Sequence, residues 1–136
     1  MAYRYKHFPT YNGDFRVLRD CQNLYGDVCI ATAQAPRELR HSVLKDYYEI
    51  CKLLIFSVRR ANNEQLGSQK RIEGQNDVIE YIQQLQDLLP SVRRLRCITY
   101  GQEKDITVKI DNIKIAIDIW IDSDEKRIKK MESESK

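Results

Sequence analysis

Apolar residues recur at spacings of three and four in four separate segments, which is the pattern of helices that bury one face. Polar stretches containing Asn, Gly or Pro separate these segments. The first predicts a helix from about Phe15 to Ala33, with Asp14 as its N-cap. Gly26 inside it is expected to mark a close contact between helices. The apolar stripe consists of Leu18, Cys21, Leu24, Tyr25 and Val28.

The second segment predicts a long helix from Pro36 to about Ala61 that is apolar on more than one side. Pro36 suits the first turn of a helix, where its missing N–H is not needed. One stripe contains Val43, Tyr47, Ile50, Leu54, Val58 and Ala61, and Leu44, Tyr48, Cys51 and Ile55 widen it. A surface helix hides a single face, so this helix is expected to be central or to lie at an interface between copies of the chain.

The third segment is leucine-rich, begins near residues 68–70, and keeps its periodicity past Pro90 as far as Ile98. Either one long helix is kinked at Pro90, or the helix breaks there and a new one starts. Because the apolar stripe stays in phase, the kinked helix is favoured. Tyr100 and Gly101 are expected to end this segment.

The fourth segment carries two periodicities at once. Its apolar residues follow a 4-3-4-3 spacing typical of bundle helices, namely Ile106, Ile110, Ile113, Ile117, Trp120 and Ile121. The odd-numbered isoleucines from 113 to 121 also alternate perfectly, which favours a strand. No other segment alternates in this way to supply a partner strand, so a helix is favoured.

These segments predict one domain over residues 14–123, flanked by two segments of different character. Residues 1–13 read as an irregular arm in which Tyr3, Tyr5, Phe8 and Tyr11 alternate with Arg4, Lys6 and His7. Such an arm could stack on nucleic-acid bases or dock its aromatic rings on the bundle, and docking is favoured. Residues 124–136 are charged and are expected to form a solvated, disordered tail. Asp122 and Asp124, where this charged stretch begins, need no special role.

Composition excludes several classes of protein. Hydrophobic residues make up 42% and charged residues 32% of the chain, and no apolar run approaches the ~20 residues needed to span a bilayer. Without a signal-peptide pattern at its start, the chain is expected to be cytoplasmic. The four cysteines contain no Cys-x-x-Cys pair and there are only two histidines, so no metal or cofactor is predicted. The dispersed glycines and the lack of a nucleophile–base arrangement predict that the protein is not an enzyme.

The basic residues are clustered although the net charge is only +3. Arginine suits phosphate because its planar fork donates two parallel hydrogen bonds. The alternative is a set of weakly stabilising surface ion pairs with the many acidic residues. The candidate binding residues are Arg37, Arg40, Arg59, Arg60, Arg93, Arg94 and Arg96.

The order of these motifs resembles the accessory variability determinant (Avd) family of diversity-generating retroelements. The likeness covers roughly residues 17–123: Ala-Pro-Arg-Glu-Leu-Arg opens the long helix, Ser-Val-Arg-Arg-Ala-Asn closes it, Leu95-Arg96 follows the leucine-rich helix, and Trp120-Ile121 ends the last segment. Pro90 and the bunching of Arg93, Arg94 and Arg96 depart from the family pattern.

The resemblance implies an all-α, up-and-down four-helix bundle assembled into a homopentameric barrel. It also implies a non-catalytic partner of a reverse transcriptase and of nucleic acid, either template RNA or cDNA, in mutagenic retrohoming. The family's basic contacts on the third helix match the stretch from Val92 to Arg96. Two alternatives stay open: a four-helix-bundle protein of the type encoded in 23S ribosomal RNA intervening sequences, and a self-assembling structural module without a polymerase partner.

Overall fold

A computed structural model of the protein describes residues 15–135, which form helices and connecting loops and contain no strand. The described residues form four long helices and one single-turn helix: α1 (Arg16–Ala31), α2 (Arg37–Arg40), α3 (Val43–Asn63), α4 (Gln69–Arg94) and α5 (Tyr100–Glu134). The prediction of an all-α chain is confirmed. None of these helices has the length and apolarity that crossing a bilayer requires.

The long helices form a bundle in which each packs against two others. The neighbouring pairs are α1 with α3, α3 with α4, α4 with α5, and α5 with α1. Tyr47 near the start of α3 donates a hydrogen bond to the Leu85 carbonyl in the second half of α4 (2.9 Å), as antiparallel helices require. Similarly, Lys109 near the start of α5 pairs with Asp27 near the end of α1 at 2.8 Å. Consecutive long helices therefore run up and down.

The core of the bundle is built from the stripes that the sequence predicts. Tyr47, Leu54 and Val58 of α3 are fully buried, as are their counterparts on the other long helices, Leu24, Val28, Val78, Leu85, Ile110 and Ile113. Leu44 and Cys51, which widen the predicted α3 stripe, are buried as well, but two other large apolar side chains of α3 are not. Leu53 and Phe56 remain 36% and 58% exposed.

The chain enters α3 through a separate turn of helix, which differs from the single helix predicted from Pro36. Pro36 is the N-cap of α2, and the chain leaves helical geometry at Ser42, whose φ and ψ are −126° and −92°. Only residues from Val43 onward then join the long helix. Asp14, the predicted N-cap of the first helix, lies outside the described residues.

Helix α4 continues through Pro90 to Arg94, so the prediction of one helix rather than two is confirmed. The prediction of where the segment ends was wrong. Thr99 is the N-cap of α5, its hydroxyl accepts from the Gln102 N–H, and the Gln102 side chain accepts from the Thr99 N–H. This capping box makes Tyr100 and Gly101 the first residues of α5 rather than the last of the preceding segment.

The alternating isoleucines of the fourth segment lie in a helix, as favoured. Ile113 and Ile117 are buried, whereas Ile115 and Ile119 are 55% and 57% exposed. The helical spacing thus supplies the core contacts. The alternating residues between them form part of an outward-facing apolar stripe on α5.

The prediction of a disordered tail from residue 124 was wrong for the described residues, since α5 runs to Glu134. Asp124 is buried and its carboxylate pairs with Arg71 at 2.6 Å. The charged composition that suggested a solvated tail is equally compatible with a helix whose exposed positions are polar. The predicted boundary at 123/124 therefore falls inside a helix.

The close helix contact assigned to Gly26 lies elsewhere. A Cβ at Gly26 would meet nothing within 4 Å, whereas one at Gly74 would lie 2.8 Å from the Ala61 Cβ. Gly74 therefore lets α4 approach the C-terminal end of α3 closely, and Gly26 is an exposed helix position.

Candidate nucleic-acid interface

The topology divides the candidate arginines between the two ends of the bundle. Arg37 and Arg40 lie on α2 at the entrance to α3, and Arg93, Arg94 and Arg96 lie where α4 passes into α5. In the antiparallel bundle, these two connections are at the same end. Arg59 and Arg60 are near the other end of α3, about 24 Å away at 1.5 Å per residue. The sequence-predicted set is therefore two groups, of which the larger is the arginine end, defined as Arg37, Arg40, Arg93, Arg94 and Arg96.

The turn between α4 and α5 holds Arg96 in a left-handed backbone conformation, with φ of 64°. The Arg96 N–H donates to the Arg93 carbonyl at 2.8 Å, and the Cys97 N–H donates to the Val92 carbonyl at 3.1 Å. This is the Schellman pattern that ends helices, and its left-handed position is usually a glycine. An L-residue there costs about 1–2 kcal/mol of backbone strain.

Arg93 is held by its neighbours and does not point freely into solvent. Its Nε donates to Glu103 Oε1 at 3.0 Å, and one terminal nitrogen donates to the Tyr100 hydroxyl at 3.1 Å. The guanidinium carbon also lies 4.3 Å from the centroid of the Tyr100 ring. Arg93 therefore differs from Arg94 and Arg96, because its charge is already paired with Glu103.

The other arginines of this end are available for a ligand. Arg37, Arg40, Arg94 and Arg96 are all exposed, and none of them forms an ion pair or a side-chain hydrogen bond with another described residue. The surface-ion-pair alternative thus applies to Arg93 alone within this group. Four unpaired guanidinium groups at one end create a positive potential suited to an anionic polymer.

Sequence reasoning missed the charged cluster at the opposite end. Arg71 donates to both carboxylate oxygens of Asp124, at 2.6 and 2.9 Å, and its other terminal nitrogen reaches the carbonyls of Ala61, Asn62 and Glu64 at 3.1–3.3 Å. Gln75 also donates to this carboxylate at 2.8 Å, and Arg127 lies 3.8 Å from it. The Arg71 and Asp124 side chains are both only 7% exposed, so this cluster joins α3, α4 and α5 and offers nothing to a ligand. Arg71 and Asp124 lie 53 residues apart, and no local motif connects them.

Trp120 lies beside this cluster. The Arg71 guanidinium is 5.6 Å from the centroid of the Trp120 ring, and Phe15 packs edge-on against the same ring with centroids 5.1 Å apart. The indole N–H of Trp120 is buried and has no hydrogen-bond partner within residues 15–135. The aromatic end of the fourth segment therefore closes the core at the end opposite the arginine end.

Cys21, Cys51 and Cys97 are buried in the core, and Cys29 is partly exposed. Burial raises the pKa of the Cys21 thiol far above its ordinary value, and burial together with Cys29 raises the pKa of Cys51 from 9.0 to about 12. All four cysteines are free. Residues 15–135 contain no group of three or more His, Cys, Asp or Glu side chains placed to hold a metal ion.

Comparisons with known proteins add no relative to this description: no family model, no curated protein and no solved structure matches the chain.

Proposed function

We propose that this protein is a non-catalytic, oligomeric accessory factor that binds nucleic acid and a retroelement reverse transcriptase. The observation that carries the nucleic-acid part is the arginine end, with four exposed guanidinium groups that pair with no other residue in 15–135. The reverse-transcriptase part rests on the resemblance of the motif order to the Avd family. Template RNA or cDNA would be the nucleic acid bound in that role.

Phosphate is the chemical group that this end would recognise. Each guanidinium can donate two parallel hydrogen bonds to a phosphate, and each contact releases counterions from the polymer. A single set of exposed arginines gives weak, salt-sensitive binding. Copies of the same set, repeated by the symmetry of an oligomer, would bind one polymer cooperatively through a raised effective concentration.

Two exposed apolar surfaces support self-assembly. On α5, Val108, Ile115 and Ile119 are 51–57% exposed and form an outward stripe. On α3, Leu53 and Phe56 are exposed apolar residues. Because α3 and α5 share neighbours but do not contact each other, these surfaces lie on opposite sides of the bundle. A contact between these two unlike surfaces on neighbouring copies would be head-to-tail, and such a contact forms a ring when the rotation between copies closes. The resemblance implies five subunits.

The assembly is tested by measuring mass by light scattering on a sizing column, with and without a structured RNA, at two salt concentrations. We expect a particle near five times the 16.1 kDa chain mass that captures RNA at the lower salt and releases it at the higher. A monomer that is indifferent to RNA would contradict both the assembly and the role of the arginine end.

The polymerase partner is tested separately by co-purification with a reverse transcriptase of a diversity-generating retroelement, in the presence and absence of its template RNA. Retention of the polymerase on immobilised protein is the expected result. If RNA is bound but the polymerase is never retained, the nucleic-acid function stands and the retroelement role fails.

A further inference from the structure

We propose that the ligand of the arginine end is a single-stranded nucleic acid, and that one of its bases stacks on the Tyr100 ring. This inference rests on the proposed nucleic-acid function and narrows it from phosphate contacts in general to a strand with accessible bases. The observation that carries it is an exposed aromatic ring that is held in a fixed position beside unpaired arginines.

The Tyr100 ring is 73% exposed although it lies on a helix whose core side is well packed. Its one ring contact among the described residues is the Arg93 guanidinium, 4.3 Å from the ring centroid. The second face of the ring is therefore open to solvent. Because bases of any identity have a flat π-face, such a surface suits base stacking without sequence preference.

The ring is also restrained, which distinguishes it from an ordinary surface tyrosine. Arg93 bridges the Tyr100 hydroxyl at 3.1 Å and the Glu103 carboxylate at 3.0 Å. Glu103 lies one turn along α5 from Tyr100, so the bridge ties the ring to the helix on which it stands. Restraint before binding reduces the side-chain entropy lost when a base stacks. Arg93 thus acts as a positioning residue for Tyr100 rather than as a phosphate ligand.

The neighbouring arginines supply the phosphate contacts that a stacked strand needs. Arg94 and Arg96 lie between Arg93 and Tyr100 in sequence and are exposed. Arg96 occupies the left-handed position of the turn, with φ of 64°, where glycine carries no strain. Backbone strain retained at an exposed position is itself an indication of a functional role for the side chain.

A duplex would use this surface poorly. Its bases are stacked on one another inside the helix and cannot lie on an external ring, whereas unpaired bases in single strands and loops can. The proposal therefore predicts preference for a single strand over a duplex of equal length and charge.

The test measures binding by fluorescence anisotropy for three labelled probes: a short oligouridylate, an abasic oligonucleotide of the same length, and a duplex. Tyr100→Ala should weaken oligouridylate binding by roughly five- to one-hundred-fold, the range expected for one stacked base. Binding of the abasic probe should change little, since it has phosphates but no bases. Tyr100→Trp keeps an aromatic ring at this position and should bind oligouridylate as tightly as the unaltered protein. Met131→Ala, which alters a 57% exposed apolar side chain near the far end of α5, serves as the control.

The outcomes separate this inference from the proposed function. If Tyr100→Ala leaves oligouridylate binding unchanged, or weakens the abasic probe by the same factor, base stacking is overturned and phosphate binding stands. If the unaltered protein binds none of the three probes, the nucleic-acid function fails and the inference fails with it. A circular-dichroism melt of each variant confirms that the comparison is between folded proteins.

Discussion

Replacing Arg96 by glycine should stabilise the protein and weaken its binding of nucleic acid. The left-handed backbone at Arg96 costs about 1–2 kcal/mol for an L-residue, and glycine removes this strain. Glycine also stabilises the unfolded state by about 0.5–1 kcal/mol, because its backbone has more conformational freedom there. Since the Arg96 side chain has no partner in residues 15–135, nothing else is lost, and we expect a net gain of about 0.5–1 kcal/mol. For 136 residues, this gain raises the melting temperature by about 2–4 °C.

The binding half of the prediction uses the salt dependence of affinity. If Arg96 contacts a phosphate, Arg96→Gly should reduce the slope of log Kobs against log[salt] by about one for each subunit engaged. Arg96→Lys is the matched control, because it keeps both the charge and the backbone strain. It should change neither the melting temperature nor the slope. All melts are compared at one protein concentration, since an oligomer's stability depends on concentration.

Two results would refute this reasoning independently. If Arg96→Gly melts at or below the temperature of the unaltered protein, then the turn is not strained at this residue. If the variant is more stable but binds single-stranded RNA with an unchanged salt slope, then the strained arginine has no phosphate to contact.

Three further predictions concern the packing of the bundle, and urea unfolding measures each of them. Gly74→Ala should lower the free energy of unfolding by about 1–3 kcal/mol, because its Cβ would lie 2.8 Å from that of Ala61. The exposed control Gly26→Ala should raise the free energy of unfolding by about 0.5–1 kcal/mol. Equal effects of the two substitutions would contradict the assigned contact. Asp124→Asn should cost about 3–5 kcal/mol, since it leaves a buried guanidinium without its charge partner, and a change under 1 kcal/mol would show that the pair is solvated. Burial raises the pKa of the Cys51 thiol from 9.0 to about 12. Above about pH 9 the unfolded chain therefore releases a thiol proton that the folded protein retains, and the free energy of unfolding should decline. Below pH 9 both states keep this proton, so a profile that is flat through pH 11 would contradict the burial.

The helices could be predicted from the sequence because each buried stripe is continuous and local. The fourth segment shows how far this extends. Its alternating isoleucines favour a strand, but only the 4-3 spacing of Ile106, Ile110, Ile113 and Ile117 places every member in the core. A strand would need a partner strand, and no other segment alternates in a way that provides one. The segment is therefore helical because of its packing in the bundle, although its isoleucines favour a strand locally.

The charged cluster at the opposite end could not be predicted because its members are distant in sequence. Arg71 and Asp124 each look like ordinary surface residues in a polar stretch, and only the antiparallel packing of α4 and α5 brings them to 2.6 Å. For the same reason, the segment predicted to be a disordered tail forms the last turns of α5. Burial of charged residues follows from tertiary partners rather than from composition.

The arginine end was predicted in part. The clusters of arginine are visible in the sequence, and the connections of an antiparallel bundle place two of these clusters at the same end. The predicted long helix already separated Arg59 and Arg60, at its end, from Arg37 and Arg40, at its start. Sequence spacing could not show that Arg93 is paired with Glu103. The difference between Arg93 and the two arginines that follow depends on the direction of each side chain. That direction changes where α4 ends at Arg94 and the backbone becomes left-handed at Arg96.

The most direct test of the central claim is the salt dependence of RNA binding by the unaltered protein and by the double variant Arg94→Glu, Arg96→Glu. The claim predicts steep salt dependence for the unaltered protein and loss of binding in the variant, with the same oligomer mass for both by light scattering. Arg59→Glu with Arg60→Glu, at the opposite end, should bind more strongly than the first variant. Undiminished RNA binding by the folded Arg94→Glu, Arg96→Glu variant would contradict the account.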